Sequence, residues 1–332
     1  MGEWLTLQTD MSPYRCDKEK VSDSLQQIDD KLKKFYDYCE IHPRFKEEMF
    51  SKQAQERRSR ETAMAFLGIE KPITLDPTSS FTKSEAEQEI EKLKIRKLLA
   101  YADASQYMKD ILHSDAPYLD QSVCLRAHAT MCQGEEDKHL IVRYERFRDE
   151  SDPLIIVGQG YFNPVEGELV RPRMDLLFRK YYGEWFNDHP IIKGAKFLTE
   201  YYRIQPHMDG NKRMALLCLN FILQKDGYAD VRFNNGSKEK LFDALKTAVL
   251  THDVTDLVLT IAEKENERSD QWLEELIDYR LRIREEDEPD KVNLSFVPQS
   301  EAMQKEAEQN AKKAEEKQEQ TENNGEEEPE SK

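Results

Sequence analysis

The sequence predicts an all-α fold with one small β element. Three observations carry this. Apolar residues recur at spacings of three and four through most of the chain. Residues 211–226 are apolar nearly all round from Met214 to Leu223. Strand-like character is confined to about 153–170.

In chain order, residues 20–40 place Val21, Leu25, Ile28, Leu32, Phe35 and Tyr36 on one face of an amphipathic helix. Further helices are expected over 43–68, 84–113 and 120–133. In 153–170 a β-rich apolar run meets Gly158, Gly160, Pro164 and Gly167, which reads as a short strand and hairpin, or flap. Helix resumes over 171–186 and 188–203. The 211–226 helix has no polar face, so it belongs at the centre of the core, and Gly227 supplies its stop. Asn234-Asn235-Gly236 forms a turn from which Ser237 can cap a helix over 238–251, and 254–284 gives one or two more helices.

The chain has 332 residues, with 49 Lys and Arg against 66 Asp and Glu, for a net charge of −17. That balance argues against a nucleic-acid partner, whose phosphates require Lys and Arg, and fits anionic lipid surfaces poorly. Residues 301–332 hold 11 Glu and 5 Lys, hence −6 of that charge, and Met303 is their one large apolar residue. Such a segment cannot offset its ordering entropy, so a disordered acidic tail is expected from about 285. No apolar run approaches the roughly 20 residues of a membrane helix, and the first residues lack the pattern of a secretory signal. Met1-Gly2-Glu3-Trp4-Leu5-Thr6 formally fits the short myristoylation pattern. Five cysteines at wide spacings, with no CxxC, point to reduced thiols and a cytoplasmic location.

The chemistry concentrates in Asp209-Gly210-Asn211-Lys212-Arg213, where a loop enters the buried helix. A helix's first turn leaves amide N–H groups unpaired and carries partial positive charge, which suits an anion. Gly210 opens the backbone to a phosphate, Arg213 offers a bidentate contact, and Asp209 is placed to hold Mg²⁺ together with substrate phosphates. The parts suit a nucleotide di- or triphosphate with magnesium. They also fit a plain helix start, with Asp209 as N-cap and Lys212 and Arg213 solvated.

The segment Gln205-Pro206-His207-Met208-Asp209-Gly210-Asn211-Lys212-Arg213 resembles the Fic family signature H-P-F-x-[DE]-G-N-[GK]-R, matching it at seven positions when the free one is counted. His189-Pro190, Ile204, Leu223, Gly227-Tyr228, Tyr161-Phe162-Asn163-Pro164 and Met174-Asp175-Leu176-Leu177 extend the resemblance over roughly 115–250. It implies a Fic-type helical bundle with a β-hairpin flap. The implied organisation is an N-terminal helical region over 1–114, a Fic-like core over 115–284 and the tail over 285–332. It also implies transfer of AMP from ATP, with Mg²⁺, to a Ser, Thr or Tyr hydroxyl of a target protein. In that scheme Asp209 holds the metal, Gly210, Asn211 and Lys212 form the anion hole, Arg213 contacts the outer phosphates, and a flap near 157–165 aligns the target by strand addition.

Two departures bear on activity. The family's catalytic His is Gln205, which has no titratable nitrogen. Loss of a general base is worth about 10²–10⁴-fold, so ordinary AMP transfer should be severely impaired. The family's Phe is His207, either a substitute base or a packed structural His. The second departure concerns an inhibitory helix, [ST]-x-x-x-E-[GN], that many Fic proteins carry. The stretch near 62–75 resembles a degenerate version: Glu70 is kept, Phe66 and Lys71 replace the flanking residues, and Leu216 stands where the partnering second Arg would be. An ordinary helix end near Pro72 is the alternative. The readings are therefore a divergent protein adenylyltransferase or a non-catalytic module binding a nucleotide or a regulatory partner protein; a homodimer is compatible with both. His128 and Cys132, four apart with no third ligand, read as core rather than metal ligands. The Tyr181-Tyr182 and Tyr201-Tyr202 pairs read as core or interface aromatics, and the mixed charges of 138–150 as a solvated face.

Overall fold

The structure, a computed structural model, describes residues 13–69, 85–133, 146–153, 155, 157 and 163–285, with side chains left out at 85–88 and 283–285. The myristoylation-like start, Glu70, the flap glycines Gly158 and Gly160, residues 138–145 and the tail beyond 285 lie outside the described residues.

Among the described residues the chain forms helices only: α1 (Lys18–Ile41), α2 (Pro43–Met49), α3 (Lys52–Leu67), α4 (Glu85–Leu112), α5 (Gln121–Met131), α6 (Gly167–Tyr182), α7 (Pro190–Ile204), α8 (Asn211–Lys225), α9 (Asn235–Thr251) and α10 (Thr255–Glu285). An isolated parallel bridge joins Arg15 to Asp253. None of these helices is long and apolar enough to cross a membrane. Residues up to Glu274 form one compact unit containing both the N-terminal helices and the core. A second unit runs from Glu275, so the range of α10 includes the boundary.

The all-round apolar helix is central, as its sequence requires. α8 is buried at every position from Met214 to Leu223, and α4, α5 and α7 pack on it. Each fully buried Leu, Ile or Phe of this helix contributes about 1.5–3 kcal/mol relative to exposure. Gly227, at φ +86°, follows its C-terminus, and the Tyr228 N–H returns to the Leu223 carbonyl at 3.0 Å.

Three boundaries differ from the sequence reading. The helix expected over 43–68 divides at Phe50. Ser51 starts a new helix there, its Oγ accepting the Ala54 N–H at 3.2 Å. The helix expected from 171 begins at Gly167. A Cβ there would lie 2.1 Å from the Asp149 carbonyl oxygen, so this glycine permits close backbone approach and is not part of a flap. Asn234, not Ser237, caps α9. The β-hairpin expected over 153–170 falls mostly outside the described residues.

One buried acid sets a pH dependence. Glu265 on α10 is wholly inaccessible, and its Oε1 accepts the Ala229 N–H at 2.6 Å. Its Oε2 has no partner among the described residues. Burial, reinforced by the Asp230 carboxylate, pushes the Glu265 carboxyl up to about 8. An unfolded Glu titrates near ~4.3. Between these values the fold holds a proton that the unfolded chain has released, so stability falls as pH rises through that interval. Glu265→Gln keeps the acceptor, replaces the acid's O–H donor with an N–H and cannot ionise. Thermal melts at pH 5 and pH 8 should therefore show a smaller loss for the variant than for the wild type. Equal losses would contradict a neutral Glu265.

A cleft at the start of the central helix

α7 ends and α8 begins across the loop 205–210, which bends around a cleft of about 550 Å³. Gln205, Met208, Asp209, Gly210, Asn211, Lys212 and Arg213 line it, together with Phe66 and Leu67 from the end of α3. The structure thus brings together every position of the sequence motif except Pro206 and His207, and adds a wall from the N-terminal region.

The loop is held mainly by two residues. Arg148 is buried, and its Nε donates to the Gln205 carbonyl at 2.6 Å, while its Nη2 donates to the Ile204 carbonyl at 2.8 Å and to that of Val165. Its backbone N–H donates to the Pro206 carbonyl at 2.9 Å. A guanidinium here meets the carbonyls and partial negative charge at the end of α7. Burial lowers its pKa to about 10, leaving it charged at neutral pH. From the other side, the Asn211 side chain grips one residue twice: Oδ1 accepts the His207 N–H at 2.8 Å, and Nδ2 donates to the His207 carbonyl at 2.6 Å. The side-chain amide of Asn211 is thereby committed to the loop. The reading of 138–150 as a solvated face does not hold for Arg148.

Gly210, at φ +79°, is the N-cap of α8, and no side chain caps the helix. A plain start capped by Asp209 is therefore not what forms. A Cβ at Gly210 would stand 2.7 Å from Met131 Cε and 3.2 Å from His128 Nε2, so both backbone conformation and packing call for glycine. The uncapped first turn faces the cleft, with Arg213 beside it. Arg213 Nη2 lies 3.3 Å from Asp209 Oδ2, and that carboxylate is 62% exposed. Asp209 is the one carboxylate among the described lining residues. Lys212 extends its ammonium over the Phe242 ring at 4.4 Å.

Gln205 caps α7 at φ +50°, a left-handed conformation uncommon for a residue with a side chain. Its Nε2 donates to the Tyr202 carbonyl at 2.6 Å. His207 is 1% exposed and lies beneath the loop, away from the cleft. Its ring stacks on His128 with centroids 3.6 Å apart, and its Nε2 lies 3.1 Å from the Tyr201 hydroxyl. Burial and the neighbouring His128 hold its basicity well below the ordinary imidazole range. His128 Nε2 donates to the Asp209 carbonyl at 2.8 Å, and Cys132 Sγ lies 3.5 Å from that nitrogen. His128 and Cys132 are thus in the loop's floor; among the described residues no group of three or more His, Cys, Asp or Glu is arranged to hold a metal. Leu216 is buried within α8.

The segment expected to resemble an inhibitory helix ends earlier than Pro72. α3 stops at Leu67, with Gly68 as a left-handed cap. The Phe66 ring stacks on Tyr101 with centroids 5.4 Å apart, and its carbonyl accepts from Lys238 Nζ at 2.6 Å. Arg148 and Lys97 are site-forming residues that sequence reasoning missed, and Phe66, legible only as part of the inhibitory-like stretch, forms a cleft wall.

A helical bundle whose central buried helix starts, uncapped, at a D-G-N-K-R loop defines a Fic-fold protein. The model of the Fic/DOC family matches residues 118–223 of this chain. Fic-1 from C. elegans, residues 134–508 of that protein in a variant form, is similar at a TM-score of 0.57 and 15% identity, over 78% of this chain and 73% of that one. A Fic domain containing signaling protein from Bacteroides thetaiotaomicron has a TM-score of 0.53 and 14% identity, over 76% and 96% of the two chains. A Fic family protein from Desulfovibrio desulfuricans has a TM-score of 0.52 and 16% identity, over 78% and 76%. At these identities the likeness is one of fold. Light-independent protochlorophyllide reductase subunit N from Prochlorococcus marinus is 27% identical over 164 residues, 40% of this chain; the chain spans 39% of that relative's length.

Replacing Arg148 tests the loop clamp. Each buried carbonyl left without a donor costs about 1–3 kcal/mol, so Arg148→Met should lower unfolding stability by about 3 kcal/mol or more in denaturant titration. A loss under about 1 kcal/mol would show that the guanidinium is not what holds the loop.

Proposed function

We propose that this protein binds a nucleoside triphosphate such as ATP through its phosphates, with Mg²⁺, in the cleft at the start of α8, and that it is impaired in the base-dependent transfer of AMP to protein hydroxyls. The observation that carries the reading is the uncapped, glycine-started helix opening on a cleft of about 550 Å³. A helix N-terminus presents N–H donors and partial positive charge to phosphate oxygens.

The residues present fit the implied ligands. The backbone N–H groups of Asn211, Lys212 and Arg213 supply the donor set, and Arg213 adds a guanidinium suited to bidentate contact with phosphate oxygens. Asp209 is exposed in the cleft, and a hard cation there would take that carboxylate together with phosphate oxygens. Bound there, the metal would neutralise phosphate charge and polarise the phosphoryl group. Ile155 and Val157 line the cleft, which supports a protein segment docking near 157–165 as expected from the family resemblance.

The missing part is a proton acceptor. Gln205 occupies the expected place, but its amide has no titratable nitrogen and its N–H is committed to the Tyr202 carbonyl. His207 is no substitute in this reading, being buried, stacked on His128 and held below the ordinary imidazole range. Without a base the transfer step loses about 10²–10⁴-fold.

Calorimetry with ATP and Mg²⁺, paired with a labelled-ATP transfer assay in lysate, tests the reading. The wild type should bind and transfer weakly or not at all, and Gln205→His should restore transfer. Efficient transfer by the wild type would refute the impaired-base reading. Absence of ATP binding by either protein would refute the nucleotide site itself.

A further inference from the structure

At the other end of α8 lies a second cavity, of about 50 Å³, bounded by α1, α3, α4, α8 and Trp272 of α10. One water needs about 10–15 Å³ by the same measure, so this space takes on the order of four water-sized groups, the bulk of a small oxyanion. Gln55, Arg58, Lys109 and His113 lie on its wall over a floor of Phe50 and Trp272.

The charge at this wall is unbalanced. Lys109 is 5% exposed, and its ammonium donates to two neutral acceptors, Ser59 Oγ at 3.0 Å and the Gln55 carbonyl at 3.3 Å. That leaves one of its three N–H donors, and the Asp230 carboxylate acts on it through charge without an ion-pair contact. Arg58 is buried beside it, its Nη2 on the Met49 carbonyl at 2.7 Å. Asp230 is the carboxylate on this wall. It is already shared by Arg268 at 3.2 Å and Arg232 at 3.4 Å, and it also accepts the Thr62 hydroxyl at 2.7 Å. Arg232, Lys109 and Arg268 together hold the Asp230 acid well below the usual carboxylate range, so one carboxylate serves three cations. Burial lowers the Lys109 ammonium to about 8, so its full charge at neutral pH is costly without a counterion.

We propose that this cavity is a binding site for a small tetrahedral oxyanion of the phosphate type, held by Lys109 and Arg58 and distinct from the cleft at the start of α8. An anion there would add to the counter-charge that the ammonium now shares through Asp230 with Arg232 and Arg268, and would use its remaining donor. Gln224 on this wall and Arg213 in the first cleft are eleven residues apart on α8, about 16 Å at the rise of an α-helix. Gln55 and Phe66 on α3, and Lys109 and Lys97 on α4, likewise divide between the two cavities.

The test is thermal unfolding of the full chain at pH 7 and fixed ionic strength, with chloride exchanged for orthophosphate and, in parallel, for glycerol phosphate. One of the two should raise the midpoint. A larger response to orthophosphate marks the free anion as occupant, and the reverse marks a phosphomonoester. Lys109→Gln should weaken phosphate affinity tenfold or more. Leu112→Glu, a carboxylate three residues along the same helix, should abolish it by supplying an internal counter-charge, which covers failure of the Lys109 variant to fold. No response in the wild type, or a full response in Lys109→Gln or Leu112→Glu, would overturn the proposal.

Discussion

The site depends on two helix ends being forced to face one another across six residues. α7 arrives with unpaired carbonyls and α8 leaves with unpaired amides, and the loop between them must satisfy the first while keeping the second available. Arg148 does the former by donating to the Ile204 and Gln205 carbonyls. Gly210 does the latter, because a residue without a side chain starts α8 and nothing of its own covers the first turn. Asn211 then fixes the loop's middle through both backbone groups of His207. The loop's backbone groups named here are matched where burial makes mismatch expensive, and the donors left over face the cleft.

The same arrangement separates shape from reactivity. The residues that hold the loop are Arg148, Asn211 and Gly210, and none of them is the residue in the place of the family's base. Gln205 fits that place by turning its amide onto the Tyr202 carbonyl. His207 fills the space beneath the loop by stacking on His128, which itself donates to the Asp209 carbonyl. An imidazole pair in the floor is compatible with a rigid loop because burial keeps His207 uncharged.

Much of the fold was legible in the amino-acid order because helices announce themselves locally. The period of α1, the all-round apolarity of α8 and the Gly227 stop are short-range signals, and they place those helices within a few residues of where they lie. The D-G-N-K-R segment was legible for the same reason. What could not be read depends on distant partners. Arg148 sits in a run of charges that looks solvated, and only the arrival of α7's carbonyls explains its burial. Gly167 looked like a flap residue, but its smallness answers to the Asp149 backbone. Phe66 became a cleft wall only once α3 had packed on α4. Ser51, by contrast, is a local signal for a helix start, hidden by an apolar period that runs on through it.

The wall supplied by Phe66 and Leu67 has a practical corollary. The stretch recognisable as a Fic domain starts at residue 118, whereas the cleft's side is finished by a helix some fifty residues earlier in the chain. Trimming this protein to its recognisable module would open the pocket on one flank and bare the apolar surface that α3 and α4 cover, so a minimal fragment is a poor surrogate for the intact molecule in ligand screens.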